Sequence, residues 1–141
     1  WTSSLALNGL LTYGKITDWA THAIEHKVSA VSDVTHGIGL AILTPAWMEY
    51  VSRDDSAGRF IDYAQRIWGV EGRKKEAVIR KGIEKTKAFF ASLGMPSRLK
   101  DVGVQESQLH GMAASIVSTG DIGKFRRLNE TDVYSILKNA Y

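Results

Sequence analysis

Apolar residues recur at helical spacing along nearly the whole chain, and sustained period-2 alternation is scarce. SSLALNGLLTYG reads as a first helix, or the end of one, closed by Gly14. TDWATHAIEHKVSAV opens with Thr17 and Asp18, residues suited to a helix cap and first turn. THGIGLAILTPAWMEYVS is strongly apolar, and its Pro45 is expected to kink the helix or reset its register. SAGRFIDYAQRIWG has Ser56 as a cap and Gly69 as a stop. A basic helix follows, ending at the glycine-then-proline terminator LGMP. QESQLHGMAASIVSTG and NETDVYSILKNAY predict two more helices, the second capped by Asn129 with Asp132. About six helices without a sheet predict an all-α helical bundle.

Composition narrows the chemistry. With 141 residues, 44% of them hydrophobic, the chain suits one domain with a real core. There is no cysteine, which excludes disulfides, zinc–thiolate sites, iron–sulfur clusters and cysteine nucleophiles. No apolar run approaches the roughly 20 residues of a membrane helix, and no signal peptide is visible, so a cytoplasmic protein without a membrane partner is expected. The net charge of +3 is concentrated in GRKKEAVIRKGIEKTK. There Glu76 and Glu84 interrupt the bases, and Val78, Ile79 and Ile83 follow helical spacing. That is the solvated face of an amphipathic helix, not a nucleic-acid surface. The chain begins at Trp1, not Met, and is expected to be processed or a piece of something longer.

The segment DWATHAIEHKVSAVSDVTHG holds three of the four histidines. His22 and His26, four apart, share one helix face, and Asp18 lies four before His22 on the same stripe. On one unbroken helix His36 would sit about 21 Å along the axis from His22, too far for a shared ion. A joint site therefore requires a turn, which SDVTHG can supply. The isolated His110 reads as structural.

Spacing alone leaves several readings open. HAIEH matches the H-x-x-E-H pattern of inverted zinc peptidases, with His22 and His26 on zinc and Glu25 as general base. That reading leaves His36 unexplained and needs a downstream acidic ligand, for which Glu106 is a candidate. A non-catalytic helical module whose histidines only pack is the third reading.

WATHAIEHKVSAVSDVTHGIGLAILTPAWMEYV, however, resembles the histidine signature of the iron-containing alcohol dehydrogenase family, in its butanol dehydrogenase-like branch. The resemblance continues through FFASLGMPSRLKDVGV and GKFRRLNETDVYSILKNAY. It implies a dehydroquinate synthase-like fold, in which an N-terminal α/β domain binds the nicotinamide cofactor and a C-terminal all-α domain supplies the metal. Residues 1–141 resemble the all-α part only, so the cofactor domain is expected to be absent.

The resemblance further implies a divalent metal, iron(II) first and zinc as the alternative, held by one aspartate and three histidines. Two of those histidines match His22 and His36. The others form a D-x-x-x-H pair expected upstream of Trp1. Asp18 and His22 in DWATH mimic that pair, but His22 belongs to the later ligand segment and Asp18 is expected in the first turn of its helix. His26 matches the family's non-ligand histidine, which lies near the nicotinamide and is implicated in proton relay. The implied reaction is hydride transfer between NAD or NADP and an aldehyde or primary alcohol, with the metal as Lewis acid. This chain alone is expected to be inactive and to bind metal weakly; the intact enzyme is expected to form a homodimer.

Overall fold

Residues 1–56 and 58–141 are described by a computed structural model. Seven α-helices occur among them: α1 (Thr2–Leu7), α2 (Ala20–Ser32), α3 (His36–Val51), α4 (Arg59–Trp68), α5 (Lys75–Ser92), α6 (Leu109–Ile116) and α7 (Glu130–Ala140). Short 3₁₀ turns lie between several of them, and the described residues contain no strand, only an isolated antiparallel bridge between Ile122 and Leu128. The all-α expectation holds. No helix is long and apolar enough to cross a membrane among the described residues.

α3 is apolar on every side and takes the central position, packed against α2, α5 and α7. It buries Ala41, Ile42, Leu43, Ala46, Met48 and Val51. Pro45 lies inside it, buried, and the helix runs through without a break. The bond that Pro45 cannot donate is offset by the packing of α3 against α2, α5 and α7. α2 contributes Ala20, Ile24 and Val28 to the same core, and α7 contributes Val133, Ile136 and Leu137. α1, by contrast, buries no residue, and Trp1, Leu7, Leu10, Tyr13 and Ile16 around it are exposed.

Some helix ends follow the local chemistry and two do not. α1 stops at Leu7 with Asn8 as its C-cap, and a left-handed Gly9 separates it from a 3₁₀ turn over Leu10–Thr12, so Gly14 does not close the first helix. Asn129 and Asp132 form the expected reciprocal capping box at α7. Gly69 closes α4 in the left-handed conformation, φ +60°. The cap of α4 is not Ser56, however. Asp55 accepts hydrogen bonds from the Arg59 and Phe60 amides, at 3.0 and 2.7 Å. A carboxylate there satisfies two free N–H groups and meets the positive end of the helix, which one hydroxyl cannot match. The basic α5 presents Arg80, Lys81, Glu84 and Lys85 to solvent and buries Val78, Ile79 and Ile83, as its spacing predicts.

Candidate metal centre

The site is built on the hairpin of α2 and α3. Asp33, with φ +52°, ends α2 in the left-handed conformation, and the chain reverses over Asp33–Thr35. Ser32 Oγ donates back to the Val28 carbonyl at 2.9 Å, closing the last turn. α3 then starts at His36 itself. The turn demanded by the histidine spacing is therefore present, and His36 folds back onto α2.

All three histidines meet there. The His36 ring centroid lies 5.3 Å from that of His22 and 5.4 Å from that of His26. Trp19 packs edge-on against His22 at 4.7 Å. His22 is half-buried, whereas His26 and His36 are exposed. The His22 pKa is lowered from its ordinary value, first by burial and then by the neighbouring His36 and His26, with Glu25 opposing. A site that keeps an imidazole neutral keeps its lone pair available.

Glu25 lies beneath the histidines and is fully buried. His36 Nδ1 is hydrogen-bonded to Glu25 Oε2, and the Ser29 hydroxyl donates to Glu25 Oε1. Ser29 Oγ also lies 3.0 Å from the Val34 carbonyl, in the turn. The carboxylate rests against the first turn of α3, where a helix end favours negative charge. It fits because position 39 is glycine: a Cβ there would come within 2.6 Å of Glu25 Oε1 and 2.8 Å of its Cγ.

One potential ligand atom from each of Glu25, His26 and His36 lies within 4.8 Å of the others. This grouping differs from the His22–His36 pair that the resemblance implies. Glu25 is the poorer donor of the set, since both its oxygens are engaged and it has no exposed surface. The same facts deny it the part of general base in the H-x-x-E-H reading, where the carboxylate must face a water on the open side. Glu106, the other acidic residue of that reading, pairs with Lys138 on α7.

Asp18 is committed elsewhere. Its Oδ1 accepts from the Ala20 amide at 2.8 Å, in the first turn of α2, and its Oδ2 accepts from the amides of Lys124 and Phe125. Asp18 thus lies just before α2, whose N-cap is Trp19, and not in the first turn expected for it; it caps the helix from outside and reaches across the chain. His110 stacks on Tyr134 with ring centroids 3.8 Å apart, a packing role. The residue whose part sequence spacing missed is Glu25. Its one signal was a carboxylate placed among apolar residues on the buried side of α2.

The donor set fits a divalent transition-metal ion. Imidazoles suit iron, zinc and copper, and one of these is oriented by a carboxylate behind it.

Comparison with known proteins bears on the same residues. The family model described as Fe-containing alcohol dehydrogenase family, C-terminal, matches residues 2–141. The chain is 46% identical to NADH-dependent butanol dehydrogenase B of Clostridium acetobutylicum, over 99% of its own length. It is 34% identical to the NADPH-dependent aldehyde reductase YqhD of Escherichia coli, over 85% of its length. The crystal structure of NADH-dependent butanol dehydrogenase A from Thermotoga maritima superposes with a TM-score of 0.90 at 37% identity, covering 99% of this chain. The chain spans 37% of the length of both butanol dehydrogenases and 31% of the reductase. A match running through the histidine hairpin and on to the last residue leaves one conclusion: the chain belongs to the Fe-containing alcohol dehydrogenase family and corresponds to its C-terminal part.

Proposed function

We propose that this chain forms the metal-binding side of an oxidoreductase that transfers a hydride between NAD(P)H and an aldehyde or primary alcohol. The observation that carries the reading is the convergence of His22, His26 and His36 on one hairpin in a chain of this family. His22 and His36 hold the metal, with iron(II) preferred and zinc the alternative. Two imidazoles leave most of an ion's coordination to other groups, so further ligands and the nicotinamide site come from an α/β domain outside these 141 residues.

When bound, a divalent ion supplies Lewis acidity to the substrate oxygen and a reduced nicotinamide supplies the hydride. The residues of this chain do the rest. The α2–α3 hairpin fixes the spacing of His22 and His36 before any ion arrives. Trp19 packs against His22 and limits the positions its ring can take. His26 is exposed beside them; in this reading it faces the nicotinamide and passes a proton between solvent and the alcohol oxygen. The reading includes a cytoplasmic location, where nicotinamides and ferrous iron stay reduced, and a homodimeric intact enzyme.

The test is a chimera in which this chain replaces the matching segment of butanol dehydrogenase B. It should oxidise NADH with butanal when loaded with iron(II). Replacing His22 or His36 with Ala should abolish turnover and leave the circular dichroism spectrum unchanged. An active His36→Ala chimera would sink the reading. In the isolated chain, calorimetric titration with iron(II) under anaerobic conditions should show weak binding, weakened further by either substitution.

A further inference from the structure

We propose that Glu25 is a positioning residue: its buried carboxylate takes the Nδ1–H of His36 and so presents His36 Nε2, lone pair outward, to a divalent metal ion. The proposal rests on the reading of His36 as a ligand. Four observations carry it. Glu25 is fully buried at the α2–α3 interface, where an apolar side chain would cost less. One oxygen is held by Ser29, from within the same helix, which fixes the carboxylate independently of His36. The other oxygen meets Nδ1 of His36. Gly39 leaves the space in which this arrangement stands.

The chemistry follows from what each group can do. An ionised carboxylate only accepts hydrogen bonds, so the nitrogen facing it carries the hydrogen. A free imidazole in water prefers hydrogen on Nε2, the arrangement that blocks Nε2 as a ligand. Glu25 reverses that preference and locks the ring about its χ angles. His36 is half exposed, its side chain retaining 48% of its surface, so one edge is buttressed while the other stays open. Glu25 acts through His36 and does not itself touch the ion.

The test begins with the metal-free chain. Long-range ¹H–¹⁵N correlation spectra at mildly alkaline pH report which His36 nitrogen carries hydrogen. Nδ1–H is expected, and Nε2–H would overturn the proposal without any variant being made. Zinc(II) affinity is then measured by competition with a chelator. Glu25→Leu should move His36 to the Nε2–H form and weaken zinc binding about ten- to a hundred-fold. Glu25→Gln keeps an acceptor oxygen and nearly the same volume. It should retain the Nδ1–H form and recover most of the lost affinity. If Gln binds zinc no better than Leu, Glu25 is a direct ligand and the positioning role is wrong. His36→Ala separates the two readings. Weaker zinc binding in His36→Ala with no change in Glu25→Leu defeats the proposal alone, whereas no change in His36→Ala defeats the metal reading beneath it.

Discussion

At the scale of the residue, Gly39 and Glu25 form a matched pair. Gly39 lies in the first turn of α3 with ordinary helical backbone, so alanine is not barred by conformation. Helix propensity favours the change by about 1 kcal/mol. Space opposes it, because the new Cβ would come 2.6 Å from Glu25 Oε1. Overpacking of this kind costs about 1–3 kcal/mol, and Glu25 cannot swing aside without leaving Ser29 and His36. Gly39→Ala should therefore lower the urea midpoint of unfolding and weaken zinc binding together. A more stable variant with unchanged affinity would show that the carboxylate is not pinned. Little of this was legible in the sequence. H-x-x-E-H names the residue types, but the direction Glu25 faces depends on where α3 packs.

At the scale of the element, α4 and α5 approach through Gly82. A Cβ on Gly82 would lie 2.5 Å from the Cβ of Ala64 and 3.0 Å from its Cα, so the obstacle is backbone and not a flexible tip. Beside this contact, the Thr86 hydroxyl donates to the Gly82 carbonyl and receives the Trp68 Nε1–H. Gly82→Ala is thus expected to destabilise the protein by about 1–3 kcal/mol, against the sign of helix propensity, as read by chemical denaturation. Seen as a string, Gly82 is a flaw in an amphipathic helix; seen in the pair, it is a point of close approach to Ala64. Element identities were largely legible because they rest on spacing within one helix, and the capping box of α7 is an example. The cap of α4 was not. Asp55 and Ser56 are adjacent and both are good caps, and the path of the chain decided between them.

At the scale of the whole molecule, the segment before α7 is tied back to the site hairpin. Asp18 binds the Lys124 and Phe125 amides, 106 and 107 residues away in sequence. Arg126 in the same loop pairs with Asp54 and Asp132 and lies over the Tyr50 ring at 4.8 Å. Tyr50 donates to Asp132, and its pKa is raised by burial first and by Asp132 second. The base of α2 is therefore held by the far end of the chain. Asp18→Asn keeps the shape but weakens the acceptor. It should speed hydrogen exchange at Lys124 and Phe125 and cost about 1–2 kcal/mol of stability. Zinc affinity should be unchanged, because the carboxylate serves backbone amides and not an ion. A large loss of affinity would instead make DWATH a ligand pair.

The sequence by itself determined the all-α class, the turn before His36, the shared face of His22 and His26, and the family. The first three rest on short-range spacing, and the family on motifs in three segments along the chain. Tertiary structure alone decided that Glu25 is buried behind His36, that Asp18 reaches Lys124 and Phe125, and that Gly82 touches Ala64. Those contacts join residues from 11 to 107 positions apart. Helical periodicity says which side chains share a face, but the choice of the face that is covered belongs to the element packed against it.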